Sequence, residues 1–250
     1  MKLRILGSAS GDPVLHRHAS AVRIDSGTLQ LLVDAGDGVA RQFVRYHIDP
    51  CTLDAVIISH THPDHAGGLF MLLQRMYIAK RSQSLKIFLP GGLLPGFHNI
   101  FPYFNIFTER WPFQFELNPI ESGIFFEDRG FRAEAVLNGH VAHYQEFASR
   151  HGIQAEAFSF SFSDTNGKKM IYTADIDRID RLTSIADGTQ LLLSECTHVD
   201  PEEVIRFAVH HQIGRVVFTH IDPDLEGAVR RLQSDQTDVR VTRDGEIIEL

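Results

Sequence analysis

Ile57-Ile58-Ser59-His60-Thr61-His62-Pro63-Asp64-His65-Ala66-Gly67-Gly68-Leu69 sets the terms for the rest of the chain. It continues the apolar run Ala55-Val56-Ile57-Ile58, which is short, β-branched and preceded by Asp54, and so reads as a buried strand. Pro63 is expected to stop both strand and helix, leaving the histidines on a tight loop at the strand's end. From an extended segment His60 and His62 can point the same way, while Asp64 and His65 face a second point nearby. A lone loop histidine is usually a solvated or hydrogen-bonded side chain. Four ligand-type residues at H-x-H-x-D-H spacing differ, because crowding so many ionisable groups without a cation is costly. Four converging donors suit two adjacent metal ions better than one.

With its H-x-H-x-D-H core and the small residues Ala66, Gly67 and Gly68, this segment resembles the signature of the metallo-β-lactamase superfamily. The resemblance implies an α/β fold: a four-layer αβ/βα sandwich with a dinuclear metal site at the edge where two sheets meet. The chain must then supply the remaining ligands in order.

Size and composition agree with an ordinary globular protein. The 250 residues suffice for a substantial core within a single hydrolase domain, 1–250, and 43% hydrophobic with 22% charged residues is typical. No apolar run is long enough to span a bilayer, and Met1-Lys2-Leu3-Arg4-Ile5-Leu6-Gly7 lacks a signal peptide's apolar region, so no membrane association and a cytoplasmic location are expected. Cys51 and Cys196 stand far apart without a C-x-x-C pattern, against a disulfide framework or a zinc knuckle. A formal charge of −8 argues against a nucleic-acid-coating protein, although bound metal ions would add positive charge locally.

Upstream, residues 2–6 and roughly 20–34 read as strands, the latter folded at Asp25-Ser26-Gly27-Thr28. The loop Gly7-Ser8-Ala9-Ser10-Gly11-Asp12-Pro13 is either a plain turn or a cradle of N–H donors for an anion. Its continuation through Arg17 and Ser20 is similar to the start of ribonuclease Z-like members of the superfamily. Asp34 matches a superfamily aspartate that supports the metal loop by hydrogen bonds without ligating. Helical spacing predicts helices over about 38–47 and from Leu69 to Tyr77. Residues 93–115 carry Phe97, Phe101, Tyr103, Phe104, Phe107, Trp111, Phe113 and Phe115. They read as a core-facing helix and a strand, or as a surplus that lines a substrate pocket or dimer face, with Phe101, Tyr103 and Trp111 as candidates.

Downstream, residues 124–138 make two strands broken by Glu127-Asp128-Arg129-Gly130 and ending at Asn138-Gly139-His140. His140 and His143 both stand where the superfamily places a third ligand; the resemblance favours His140. Phe158-Ser159-Phe160-Ser161-Phe162-Ser163 alternates as a half-buried strand does. Its hairpin partner Lys169–Thr173 runs into Ala174-Asp175, an aspartate that is a simple cap or, by the resemblance, the carboxylate bridging both metals. Here Ala174 stands in place of the usual glycine. The strand Leu191–Ser194 leads to Glu195 and His198, which either form a strand-end ion pair or resemble residues that ribonuclease Z-like enzymes set beside the scissile phosphate. Asp200 caps a helix with Pro201 at its first position. Arg215–Thr219 is a strand ending in His220, and a last helix is expected over about 223–234.

The resemblance thus implies that His60, His62 and His140 hold one ion and Asp64, His65 and His220 the other, with Asp175 between them. Nitrogen-rich ligation fits two zinc ions best, with manganese or iron as alternatives. Such a pair generates a bridging hydroxide at neutral pH, Asp64 orients it, and His198 with Glu195 serves the leaving group. The expected activity is a phosphodiesterase acting on a small or cyclic phosphodiester, a short nucleotide, or an RNA 3′ end. Full transfer-RNA processing is disfavoured: the 34 residues between His140 and Asp175 leave no room for the RNA-clamping arm of ribonuclease Z enzymes. An ester, thioester or lactone hydrolase on the same site is the alternative, and a homodimer is a further expectation.

Overall fold

The computed structural model describes residues 1–250, apart from the side chains of Pro95 and His98. Two seven-stranded sheets face each other. The first holds β1 (Lys2–Gly7), β2 (Ala21–Asp25), β3 (Gln30–Val33), β4 (Ala55–Ile57), β5 (Leu85–Pro90) and β6 (Phe115–Ile120). The second runs from β7 (Gly123–Asp128) through β8 (Phe131–Asn138), β9 (Ala157–Ser163), β10 (Lys169–Tyr172), β11 (Leu191–Ser194) and β12 (Arg215–Phe218) to β13 (Asp238–Val241). A final strand, β14 (Ile247–Glu249), returns to pair with β1. Each half of the chain begins with antiparallel pairs and ends with parallel ones, β3 to β6 in one sheet and β10 to β13 in the other.

Helices cover the outer faces. On the first sheet lie α1 (Val39–Arg45), the single turn α2 (Pro63–Ala66), α3 (Leu69–Ile78) and α4 (Leu94–Ile100). The second half adds α5 (Gln145–Arg150), α6 (Pro201–His210) and α7 (Pro223–Val229). In α3 the residues Leu69, Leu72, Leu73 and Met76 recur at helical spacing and are buried; each contributes roughly 1.5–3 kcal/mol. Between the sheets sits an apolar layer that includes Leu31, Ile57, Phe158, Phe160 and Phe162. Helix, sheet, sheet, helix is the four-layer order expected from sequence.

Several local expectations are corrected. Pro63 does not stop the chain but opens α2, because its fixed φ and missing N–H suit a helix's first position. Strand β9 is buried on both faces: its phenylalanines enter the inter-sheet layer, and Ser159 and Ser161 lie under cover on the other side. The turn between β7 and β8 is only Arg129-Gly130. Helix α7 ends at Val229, short of 234. Phe101 is a core residue packed against the first sheet's outer face, whereas Tyr103 is exposed and Trp111 stacks on Tyr77.

Candidate metal centre

The site lies just beyond the C-terminal ends of β4, β8, β10, β11 and β12. Three bends there take the left-handed backbone conformation at non-glycine residues: Asp34 (φ 59°), Ala174 (φ 48°) and His220 (φ 50°). Such bends cost energy and persist where surrounding contacts hold them. The family-like glycine in front of Asp175 is thereby explained, since that position needs a positive φ that Ala174 adopts under strain. Small residues after the histidines have a steric reason. A Cβ on Gly68 would stand 2.2 Å from the Gly36 carbonyl oxygen, and one on Gly36 would stand 2.1 Å from that of Asp64.

Seven of the side chains singled out from sequence converge in two groups. In the first, His62 Nδ1 lies 3.1 Å from His60 Nε2 and 3.3 Å from His140 Nε2. Asp175 Oδ2 completes it, 3.5 Å from His140 Nε2 and 3.8 Å from His60 Nε2. In the second, His65 Nε2 lies 3.3 Å from Asp64 Oδ2 and 3.1 Å from Asp175 Oδ1, while His220 Nε2 lies 3.2 and 3.3 Å from the same two oxygens. Donors at about 2.0–2.1 Å around a tetrahedral ion stand roughly 3.3 Å from one another, so both groups fit divalent cations. Two buried atoms sharpen the fit. His65 Nε2 and Asp175 Oδ1 have no hydrogen bond of acceptable geometry, although they face each other.

Asp34 orients this set from the end of β3. Fully buried, it accepts the Ser59 N–H at 2.8 Å, the Ser59 hydroxyl at 3.0 Å and the Tyr172 hydroxyl at 2.9 Å, and it meets His65 Nδ1 at 2.8 Å. A proton on His65 Nδ1 is thus fixed toward Asp34 and its Nε2 is left for the cluster. Ser59 Oγ does the same for His60 Nδ1 at 3.0 Å. Asn138 ties two of these side chains together: its amide donates to the Asp175 carbonyl at 3.0 Å, and its own side-chain oxygen accepts the His140 N–H at 3.1 Å. Ser59, Asn138 and Tyr172 were not singled out from sequence. A polar residue at each strand end was the available signal.

Electrostatics favour cation binding. Burial lowers His60 well below the ordinary imidazole value, lowers His62, and brings His140 to about 4, so these rings present lone pairs at neutral pH. Burial works to raise Asp64 and Asp175, but the hydrogen bond from His220 and the close approach of His65 hold the first below the carboxylate range, and the charges of His65 and His220 do so for the second. For His65, burial is outweighed by Asp175 and Asp34, which raise it well above its usual value and call for positive charge at its Nε2.

Glu195 and His198 sit at the rim. Glu195 is buried and its oxygens accept the N–H groups of Ile176, Thr197 and His198 at 3.3, 2.7 and 2.8 Å. His198 Nδ1 faces it at 3.3 Å, and this hydrogen bond raises the His198 pKa. The His198 ring packs 4.6 Å from that of His140. His143 is exposed and stacks on Tyr144, and His151 is exposed, so His140 is the histidine of this segment brought to the cluster. In the small-residue loop, the N–H groups of Ala9 and Ser10 are donated to His18 and Ile221, which makes the loop a wall of the site. Its Gly11 lies against Asp64.

The profile of the Beta-lactamase superfamily domain matches residues 30–232, a stretch that contains every residue of both clusters. The chain belongs to the metallo-β-lactamase superfamily. Within this superfamily it is similar to the ribonuclease Z of Gemmatimonas aurantiaca, 24% identical over 99% of this chain and 95% of that protein. The ribonuclease Z of Chlamydia muridarum is 34% identical over 56% of this chain, and the match spans 45% of that protein. The human tRNase Z short form has the same fold, with a TM-score of 0.80 at 20% identity, covering 100% of this chain and 99% of the other. A ribonuclease Z-like metallo-β-lactamase fold with paired His/Asp clusters implies divalent metal ions and metal-dependent hydrolysis. Among the described residues no helix is long and apolar enough to cross a membrane.

Proposed function

We propose that residues 1–250 form one hydrolase domain that cleaves phosphodiesters with two zinc ions, His60, His62 and His140 holding one, Asp64, His65 and His220 the other. The observation that carries this reading is the placement of Asp175, which turns Oδ2 to the first triad and Oδ1 to the second. Five imidazoles against two carboxylates favour zinc over harder ions. The similarity to ribonuclease Z proteins supports a phosphodiester, of a nucleotide or an RNA 3′ end, as the bond attacked.

When bound, such a metal pair makes a water nucleophilic at neutral pH and neutralises charge building on the non-bridging oxygens. The chain's own residues do the rest. Asp64, held ionised by His65 and His220, accepts the proton of the attacking water. Protonated more readily through its bond to Glu195, His198 donates to the departing oxygen. Glu195 itself is a positioning residue, because its oxygens are committed to three backbone N–H groups and the His198 ring. Asp34 and Ser59 keep His65 and His60 in the tautomers that ligation needs.

The setting proposed is the cytoplasm, in keeping with two free cysteines, one of them buried. A homodimer is proposed through the exposed rings of Tyr103, Phe104 and Phe107, to be checked by sedimentation. The deciding test is hydrolysis of bis(p-nitrophenyl) phosphate by metal-stripped and zinc-restored protein. Activity is expected only after zinc is restored. It should vanish in Asp64→Ala and fall by roughly 10²–10⁴ in kcat in His198→Ala. No turnover with two metals bound would move the reading to carboxylic esters, thioesters and lactones.

A further inference from the structure

Two cavities flank the metal loop. One, of about 490 Å³, has a mixed lining in which Arg17, Arg41 and Asp64 stand beside Val14, Leu15 and Pro63. The other is an apolar space of about 410 Å³. Pro63 belongs to the wall of both. Thr61 and Pro63, the neighbours of His62 in sequence, belong to the apolar cavity's lining. Leu69, Phe70, Leu93, Phe97, Ile100 and Ile153 supply its apolar lining, drawn from α3, the segment around α4 and the loop after α5. Among the described lining residues Thr61 carries the single polar side chain.

We infer that this cavity is the specificity pocket of the site, and that it takes a hydrocarbon ester group, alkyl or aryl, of a phosphodiester whose phosphate sits over the metal cluster. The inference rests on the phosphodiesterase reading for the reaction, but its ground is the lining. A nucleoside placed here would leave ribose hydroxyls and base-edge nitrogens without partners, which is costly. Base stacking is no substitute. Phe70 is already engaged by three rings: Phe97 at 5.9 Å and 20°, Phe104 at 4.9 Å and 14°, and Phe101 at 5.6 Å, edge-on. What remains open is a hydrocarbon surface of a volume ordinary for small-ligand pockets. Phe147 and Tyr144 are exposed on the segment after His140, and the Tyr144 ring lies 5.9 Å from that of His62.

The experiment uses methyl, butyl and hexyl p-nitrophenyl phosphates, which share one leaving group and differ only in the hydrocarbon. In zinc-loaded wild type kcat/KM is expected to rise roughly 4-fold per methylene until the cavity is full. Gly96→Phe should flatten that series, because Gly96 lines the cavity and a Cβ there meets only open space. From the opposite wall Ile153→Trp should do the same, so a folding failure of one variant leaves the other to decide. A flat series in wild type, or a series that survives both substitutions, overturns the inference. Calorimetric binding of hexylphosphonate against methylphosphonate separates the two levels of the argument. Tighter hexyl binding, erased by Gly96→Phe, with no ester turned over would sink the phosphodiesterase reading and keep the pocket. Equal binding and equal turnover would sink the pocket and keep the phosphodiesterase.

Discussion

Asp34 and Tyr172 join the two sheets through one hydrogen bond of 2.9 Å, buried beneath the metal loop. Burial, and then the charges of Asp34 and Asp175, raise the Tyr172 phenol well above its ordinary value. A raised phenol pKa means that the folded state keeps a proton the unfolded chain releases. Its contribution to stability is whole below the unfolded value of about 10 and is lost as pH rises through the folded value. Tyr172→Phe is therefore expected to weaken the alkaline decline in urea-unfolding midpoint while lowering stability at pH 7 by about 1–2 kcal/mol. A variant whose midpoints run parallel to wild type from pH 8 to 11 would contradict this. At Ala174 the residue scale shows another cost: a methyl is kept in a left-handed bend where a glycine would be at ease.

Among the elements, strand ends carry the chemistry, because a buried strand fixes the direction of the residue that follows it. Asn138, the last residue of β8, bonds the Ser159 hydroxyl of β9 and the Asp175 carbonyl beyond β10, and it accepts the His140 N–H. Three neighbouring strands are thus locked at the edge where two proposed ligands emerge. Asn138→Ala is expected to cost about 1–3 kcal/mol in unfolding and to weaken metal binding by roughly 10–100-fold. Metal content after dialysis against a graded chelator series reads the second effect. Full retention of both ions would show that the packing of β8 alone places His140. Buried serines in β9 belong to the same scheme: Ser159 donates to the Thr173 carbonyl at 2.6 Å and holds the bend before Asp175.

For the whole molecule, the site is a seam. The metal loop belongs to the first sheet, and His140, Asp175 and His220 belong to the second. The Phe158 N–H donates to the Ser59 carbonyl at 3.1 Å and closes the seam beneath the clustered histidines. Metals bound across it should stabilise the fold as a unit, since the unfolded chain brings no such cluster together. At free zinc a thousand times the dissociation constant the gain is about 4 kcal/mol. Removing metal with a chelator is accordingly expected to lower the thermal midpoint by several degrees in a single transition seen alike by far-UV and near-UV circular dichroism. A midpoint indifferent to zinc would contradict ligands drawn from both sheets.

Most strands, helices α1 and α3 and the four side chains of the metal loop were legible in the amino-acid order, because burial periodicity and ligand spacing are local properties of the chain; the two-sheet architecture came through the family resemblance. The H-x-H-x-D-H stretch placed four of the seven without help. His140, Asp175 and His220 were named through resemblance, since nothing local marks a strand-end histidine as near one 80 residues away. Tertiary contact was needed to separate His140 from His143, to show Glu195 occupied with backbone N–H groups, and to reveal Asn138 and Tyr172 as supports. It also covered the serine face of β9 and turned Pro63 from a break into a helix start. These outcomes depend on which groups meet across the seam between sheets, and that distance in space has no counterpart in the chain's local pattern.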